Sequence, residues 1–429
     1  GSSATTTGTT SSGTTGTGGG ATTSTTGTGG AMTTTSTTGS GGSGAGAPQG
    51  CKEFVLSGDP DKAVAATVPP ASPGGLAWDG AHYEAVYTGT APVGFNVYYT
   101  LLNPPGTILS PPGQQSLSLL GSDAAGGSIV AAGAHQGVLW SDRRTGDFEI
   151  FFSVLEGNGS KALLDDLRVT SAQGLSLNPS IAFNGSEFLA VWEDARNMGL
   201  HLFGQRISNE GALVGGNMEI TKPAQGDSSE APQIAAGPTN VGVAYLAHEA
   251  GVTRVAFQIL GPDLAPSAVP PVTFEDAMGA PAAPTVVWNF DRYVIAWQDL
   301  KTPSHALRAV AIAPDGSTLV PPTEITAPGA HNSRAPRLLA LGDSLLVVYA
   351  DDRDDNGGYE IYARTLSPSL TPLSAELRVT SAMGDSVSPM IAAGPGAPFG
   401  DVGILFRDDR AAAQQNIFFN RIHCKSPGP

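Results

Sequence analysis

Four times along the chain an aspartate is followed two residues later by an arginine, each pair lying two and four positions past an aromatic residue: Asp142/Arg144, Asp194/Arg196, Asp351/Arg353 and Asp408/Arg410. Asp299 and Lys301 make a fifth copy with lysine as the cation. A carboxylate and a cation two apart on an extended backbone point to the same side, so they are placed to pair with each other or with a neighbour. A ring of guanidinium groups gripping an anionic ligand is the functional alternative. Because each cation arrives with its own aspartate and the motif recurs at long intervals, structural salt bridges tying turns are the expectation.

A second constellation overlaps one of these pairs. Asp352, Asp354, Asn356 and Glu360, with Gly357 among them, set oxygens at positions 1, 3, 5 and 9 around a glycine at 6. Calcium takes six to eight oxygen ligands, and a glycine permits the turn that aims them inward. The pattern therefore makes Ca²⁺ the one cofactor the chain suggests, and nothing in it requires another. Arg353 inside the loop and the missing acid at position 12 favour the alternative, a solvated acidic hairpin. Trp78 and Trp288 stand at equivalent places, each read as beginning the first strand of a repeating unit near a central channel, and are candidates for stacking on a sugar, with packing between structural units as the other use of such rings. The seven histidines show neither His-Glu-x-x-His nor His-x-His spacing, and no Gly-x-Ser-x-Gly elbow occurs, so no catalytic residue is assigned.

The elements that position these residues follow from a repeat. Aliphatic residues Leu76, Ile129, Ile181, Ile234, Val286, Leu338 and Ile391 are separated by 53, 52, 53, 52, 52 and 53 residues. An aromatic residue lies 11 positions on in six units (Tyr87, Trp140, Trp192, Tyr245, Trp297, Tyr349) and 15 on in the last, Phe406. Each unit reads as four short strands separated by Gly, Asn, Asp and Pro, which is the blade of a β-propeller, and 52 residues leave no room for a crossover helix. The expected fold is all-β: a seven-bladed propeller with blade cores near 76–120, 129–170, 181–221, 234–274, 286–326, 338–380 and 391–424.

Ring closure has its own signal. An outermost strand such as Leu-Arg-Val-Thr170 or Leu-Arg-Val-Thr380 follows each of the first six units but not the seventh, while a matching segment, residues 53–57, opens the folded part. The N-terminal strand should complete the last blade. Cys51 just before it and Cys424 just after the third strand of the last unit are the only thiols in the chain, and a Cys51–Cys424 disulfide is expected. Turns before each first strand should share a face with the Asp-x-Arg turns, the face on which propellers commonly hold ligands. Blades 1 and 4 break the Asp-x-Arg rule, with Tyr87-Thr-Gly-Thr and Tyr245-Leu-Ala-His248-Glu249, and are the candidates for a symmetry-breaking site.

These units, reading roughly P-x-I-A, W-x-D-x-R and I-Y, resemble the repeats of bacterial secreted propellers of TolB-like and sialidase type, over residues 51–424. The sialidase signature Ser-x-Asp-x-Gly-x-x-Trp does not occur, so the resemblance implies the fold and not that activity.

Composition bounds the partners. Against 38 acidic residues stand 22 lysines and arginines, a formal charge of −16, which repels nucleic acid. No apolar run is long enough for a membrane-spanning helix. Residues 1–50 form a low-complexity segment: 41 of the first 46 are Thr, Ser or Gly, and the first charged side chain is Lys52. Such a stretch has no apolar face to bury and reads as a disordered spacer. It resembles the linker behind the lipidated cysteine of bacterial surface lipoproteins, which implies an extracellular or cell-surface location, with membrane contact only through an upstream lipid anchor. The functional expectation is a non-catalytic, exported module binding a glycan or protein across the channel face. The alternatives are an extracellular polysaccharide hydrolase or lyase with carboxylates drawn from several blades, and a structural component of a surface assembly.

Overall fold

The computed structural model of the chain describes residues 49–65, 71–110, 113–197, 199–274, 280–300, 304–327, 329, 331–354, 358–397, 400–410 and 416–425. The Thr/Ser/Gly-rich segment up to residue 48 lies outside them. All regular elements among the described residues are strands, arranged as seven antiparallel sheets of four strands each, the last joined by one further short strand. Blade 3 is representative, with strands Ser176–Phe183, Glu187–Asp194, His201–Ser208 and Leu213–Glu219 hydrogen-bonded in that order. The innermost strand of each blade packs on those of its two neighbours, and blade 7 packs on blade 1, so the ring is closed. The chain is a seven-bladed β-propeller.

The last blade is completed from the other end of the chain. Phe54–Leu56 pairs antiparallel with the strand Asn416–Cys424, Phe54 opposite Cys424, and Lys62–Ala63 pairs further along the same strand. Cys51 and Cys424 are joined in a disulfide, as expected, which locks the two ends of the ring together. In blade 1 the outermost strand is Gln114–Ser116, shorter than its pattern suggests, and Leu119 and Leu120 beyond it are exposed.

The apolar residues form seven clusters, each drawn from two adjacent blades. That is why the second strand of a blade is buried along nearly its whole length, as in Ser344–Asp351: both of its faces meet neighbouring sheets. Fit across the seams is by size. Gly137, Gly242 and Gly403 occupy one equivalent position, and into the space each leaves comes the ring of the next blade, Phe188, Tyr293 and Tyr83 respectively. Where the position carries Leu189 instead, the facing residue of blade 4 is the smaller Val241.

Each innermost strand also bends. Pairing skips a residue after Ala125, Leu177, Glu230, Ala282, Arg334 and Val387 in blades 2 to 7. The residue that follows each skip, Gly126, Asn178, Ala231, Ala283, Ala335 or Ser388, has φ between 47° and 71°. For a non-glycine residue this conformation costs about 1–2 kcal/mol, tolerated because packing on both sides leaves the strand no other path.

Candidate functional site

Innermost strands begin, and second strands end, on one face of the ring. Ser176 pairs with Asp194 there, Ser333 with Asp351 and Ser386 with Asp408. The Asp-x-Arg turns and the turns before the first strands therefore share that face.

In each of the four turns the aspartate is buried and the arginine folds back on it. Arg144 Nε donates to Asp142 Oδ2 at 2.9 Å, and Arg196, Arg353 and Arg410 each donate Nε to Oδ1 of their aspartate at 2.7 Å, with Nη2 on the second oxygen. The serine of the first strand donates to the same carboxylate in three blades: Ser176 to Asp194 at 3.1 Å, Ser333 to Asp351 at 2.6 Å and Ser386 to Asp408 at 2.6 Å. The aromatic anchor joins in where it is tryptophan, Trp140 Nε1 reaching Asp142 at 3.2 Å and Trp192 Nε1 reaching Asp194 at 2.9 Å. Each guanidinium lies over a ring of the third strand, Phe151, Phe203, Tyr362 or Phe418, at 4.2–4.5 Å. Burial raises the proton affinity of Asp194 and Asp351, but the arginine hydrogen bonds outweigh it and hold both carboxyls below the ordinary aspartate value. Asp299 is buried with Arg308 Nε at 3.7 Å, and Lys301 lies outside the described residues.

The oxygens of the proposed calcium loop face different partners. Asp352 accepts from the backbone and side chain of Asn332 at 2.6 and 2.7 Å. The Arg378 guanidinium stands between Asp354, 3.2 Å from Nε, and Glu360, 2.8 Å from Nη2, and Thr380 donates to Glu360 at 2.6 Å. Blade 2 repeats this last arrangement with Glu149, Arg168 and Thr170, so Glu360 belongs to a structural device tied to the two Leu-Arg-Val-Thr strands. Asn356 lies outside the described residues.

The two candidate stacking tryptophans need correction. Trp78 and Trp288 lie at the ends, not the beginnings, of the strands Ala71–Trp78 and Pro281–Asn289, and so on the face opposite the Asp-x-Arg turns. Trp78 is buried against Tyr83, and Trp288 packs edge-on to Tyr293, both at 4.8 Å between ring centres. Both rings pair across a hairpin of their own blade and pack on the apolar cluster at its seam, Trp78 fully buried and Trp288 half-buried.

One arrangement on the Asp-x-Arg face breaks the repeat. Successive strand residues face opposite ways, so the residue after Trp192 turns from the seam with blade 2 toward the seam with blade 4. That residue is Glu193, where the other blades carry Thr88, Ser141, Leu246, Gln298, Ala350 and Arg407. Its Oε1 accepts from the backbone N–H of Ala231 in blade 4 at 2.6 Å, and its Oε2 from Asn178 Nδ2 at 3.0 Å. Both donors sit at the left-handed kinks of adjacent innermost strands. Beside it Glu230 accepts from Ser228 Oγ at 2.7 Å and lies 3.4 Å from His248 Nε2, and His248 Nδ1 is 2.8 Å from Thr253 Oγ1. Glu193 is 4% exposed, whereas the side chains of Glu230 and His248 are about one-third exposed, at 37% and 34%. Burial pushes the Glu193 carboxyl above the ordinary glutamate value and the charge of Glu230 adds to this, while the bonds from Ala231 and Asn178 and the field of His248 oppose it without cancelling it.

The seam therefore holds two carboxylates in contrasting environments, one desolvated with its proton affinity raised, the other open to solvent beside an imidazole. His248 belongs to the blade-4 departure noted in the sequence; Glu193 and Glu230 do not stand out there except by comparing equivalent positions across all seven repeats. Among the described residues no group of three or more His, Cys, Asp or Glu is placed to hold a metal ion.

No family model matches the chain. No curated protein matches it either. Solved structures do. A protein of unknown function from Dyadobacter fermentans DSM 18053 is similar at 12% identity and TM-score 0.52, over 70% of this chain and 95% of that one. The β-propeller domain of the Trilobed protease from Pyrococcus furiosus is similar at 11% identity and TM-score 0.51, over 84% of this chain and 97% of that one. An α-L-arabinanase from Penicillium chrysogenum, solved with arabinobiose, is similar at 12% identity and TM-score 0.48, over 74% and 99%. At such identities the likeness establishes the propeller fold alone. The expectation of a non-catalytic binding module is not carried forward: endo-arabinanases and α-L-arabinofuranosidases recur among the similar structures, at TM-scores of 0.31 to 0.48, and the alternative of a polysaccharide hydrolase takes its place as the reading to test.

Proposed function

We propose that the protein is a glycoside hydrolase that cleaves a polysaccharide at the seam of blades 3 and 4, with Glu193 as general acid and Glu230 as the ionised partner. The observation that carries this reading is the raised proton affinity of Glu193 immediately beside the solvent-accessible Glu230. Glycosidic hydrolysis needs a carboxylic acid to protonate the leaving oxygen and a second carboxylate in its charged form. Glu193 gives its proton to that oxygen as the bond to the anomeric carbon breaks. Glu230 takes a proton from the water whose oxygen bonds to that carbon, and His248 holds the Glu230 carboxylate in place. Proton exchange with solvent then returns Glu193 to its acid form and Glu230 to its carboxylate. Asn178, exposed at its strand kink, is the side chain through which a sugar reaches Oε2 of Glu193.

The Cys51–Cys424 disulfide is consistent with an oxidising, extracellular setting, and the reading places the enzyme outside the cell as an exported bacterial propeller with W-x-D-x-R blades. The test is release of reducing ends from a panel of plant and bacterial polysaccharides by the wild type, Glu193→Gln and Glu230→Gln. Hydrolysis of at least one polymer that falls by roughly 10²–10⁴ in both variants is expected. No hydrolysis by folded wild type, or full activity in either variant, overturns the proposal.

A further inference from the structure

At every seam of the ring two places of the repeat face each other: the residue three before the aromatic anchor of one blade and the residue four before the anchor of the next. In six seams the pair is apolar, Gly137 with Phe188, Leu189 with Val241, Gly242 with Tyr293, Val294 with Leu345, Leu346 with Val402 and Gly403 with Tyr83. At the seam of blades 1 and 2 the same places carry Glu84 and Gln136, and both side chains are fully buried, at 0% exposure. Glu84 shares its strand face with Val86 and pairs with Leu101, and both of those belong to the apolar cluster that joins blades 1 and 2. A carboxyl group thus sits inside a seam that the rest of the ring keeps dry and apolar.

The groups around it are mostly neutral or acidic. Tyr99, also 0% exposed and in the same cluster, donates its hydroxyl to Glu84 Oε1 at 3.1 Å. Asp79, in the turn before this strand, accepts from the backbone N–H groups of Ala81 and His82 and lies 3.1 Å from His82 Nδ1. A Cβ on Gly157 of blade 2 would come within 3.8 Å of Asp79 Oδ2, so this second acid also stands against blade 2. At that end of blade 2 the titratable side chains are His135 and Glu156, open to solvent and 3.5 Å apart. Burial, and after it the charge of Asp79, pushes the Glu84 carboxyl well above the ordinary glutamate value, and the bond from Tyr99 opposes this without cancelling it. Burial and the charge of Glu84 likewise hold the Tyr99 phenol above the ordinary tyrosine value, so it stays a neutral donor.

We propose that the seam between blades 1 and 2 is a proton-operated joint, closed while Glu84 carries its proton and loosened when that proton is lost. A protonated carboxyl fits among Tyr99, Gln136 and the surrounding aliphatic side chains. An ionised one, desolvated and in the field of Asp79, is costly until water reaches it, and water reaches it only if the two sheets part. Because the folded proton affinity is raised, the contribution of the closed seam is complete below the ordinary glutamate value and is lost as the pH rises through the folded value. Beyond that point closure weakens by about tenfold per pH unit, the slope of a single proton. The other six seams hold no such pair, so the ring has one place at which alkali loosens it, away from the blade that the disulfide locks. The joint is independent of the Glu193 reading and requires no catalysis.

Hydrogen–deuterium exchange of the whole protein, read by mass spectrometry from pH 5 to pH 9 and corrected for the intrinsic pH dependence of amide exchange, tests this on the wild type, Glu84→Gln and Glu84→Leu. Leucine is the residue that blades 3 and 6 carry at this place. In the wild type, protection of the strands Phe95–Leu102 and His135–Asp142 is expected to fall as the pH rises, by up to about tenfold per unit. Protection of Glu360–Leu366 and Asp401–Asp408, at the seam of blades 6 and 7, should stay level, and in both variants all four strands should stay level. Protection at blades 1 and 2 that does not change with pH in the wild type, a fall shared equally by all four strands, or the same local fall in the variants overturns the proposal. Should neither variant fold, the wild-type comparison of the two seams decides: a fall confined to blades 1 and 2 supports the joint, and its absence refutes it.

Discussion

The backbone N–H of Ala231, held at φ 52°, donates across the seam between blades 3 and 4 to the Glu193 carboxylate at 2.6 Å. A kink that the fold repeats in six blades thus becomes, in one place, a donor aimed at a buried acid. Equivalent kinks elsewhere have no such acid to meet, because only blade 3 has glutamate after its aromatic anchor.

The raised proton affinity of Glu193 carries a stability consequence. A carboxyl whose folded pKa lies above its unfolded value contributes most below the unfolded value, and stability falls as the pH rises through the folded pKa. Glu193→Gln removes that loss, so the variant is expected to match or exceed the wild type at pH 7 by up to about 1 kcal/mol, the scale of one buried hydrogen-bonded group. The advantage should shrink as the pH approaches 4. Urea unfolding of both proteins at the two pH values checks it; a variant less stable at pH 7 than at pH 4 relative to wild type contradicts the burial argument.

The same shift orders the pH dependence of hydrolysis. Rate should decline on the alkaline side as Glu193 loses its proton, at a pH above that at which an ordinary glutamate would lose it. In Glu193→Gln, aryl glycosides whose leaving group needs no protonation should recover rate relative to natural polymers. Equal losses on both substrate types would assign Glu193 a positioning role in place of proton donation.

Asp194 presents the opposite sign. Its folded pKa is depressed, so its contribution is present above the ordinary aspartate value and lost as the pH falls through the lower folded value. Arg196→Ala leaves a carboxylate 1% exposed with only the Trp192 indole, Ser176 and a backbone N–H as donors. Breaking a fully buried pair costs 3–5 kcal/mol, and since the Arg196 side chain is itself 20% exposed about 2–3 kcal/mol is expected here. Acid unfolding of the variant should begin at higher pH than in the wild type, measured by tryptophan fluorescence.

Packing across the closing seam is tested by Gly403→Ala. A Cβ there lies 2.5 Å from the Tyr83 ring and 2.8 Å from Phe419, both buried with little room to move. Overpacking of about 1–3 kcal/mol is expected, seen as a lower thermal midpoint. An unchanged midpoint would mean that blades 7 and 1 separate more readily than their contacts imply.

Removing the Cys51–Cys424 bond by Cys51→Ser with Cys424→Ser frees both ends of a loop spanning 373 residues. The chain-entropy estimate of about 6 kcal/mol is an upper guide, and 2–5 kcal/mol is the usual range for native disulfides. Differential scanning calorimetry with and without reductant on the wild type should reproduce the shift seen in the double variant. The strand Phe54–Leu56 should lose amide-exchange protection first, since three backbone pairings are then its main tie to blade 7.

Much of this architecture is written into the chain as a period. Ile181 and its six counterparts recur at 52 or 53 residues because each blade buries its apolar faces only against its neighbours, so every unit must carry the same pattern. The absent seventh outermost strand, the matching N-terminal segment and the two cysteines then settle how the ring closes. Strand polarity was harder to read: Trp78 and Trp288 looked like residues at the start of their strands, but each strand starts seven residues before its tryptophan, beyond a kink that in most blades falls on alanine or serine, which carry no left-handed signature. The functional seam was least legible. Glu193 and Glu230 lie 37 residues apart in different blades, two acids among 38, and no spacing rule links them. Period, blade count and closure are local or repeated properties, and the sequence alone determined them. Which acid is desolvated, which remains open and which backbone N–H meets them depends on how two separate sheets abut, and only the tertiary structure decided that.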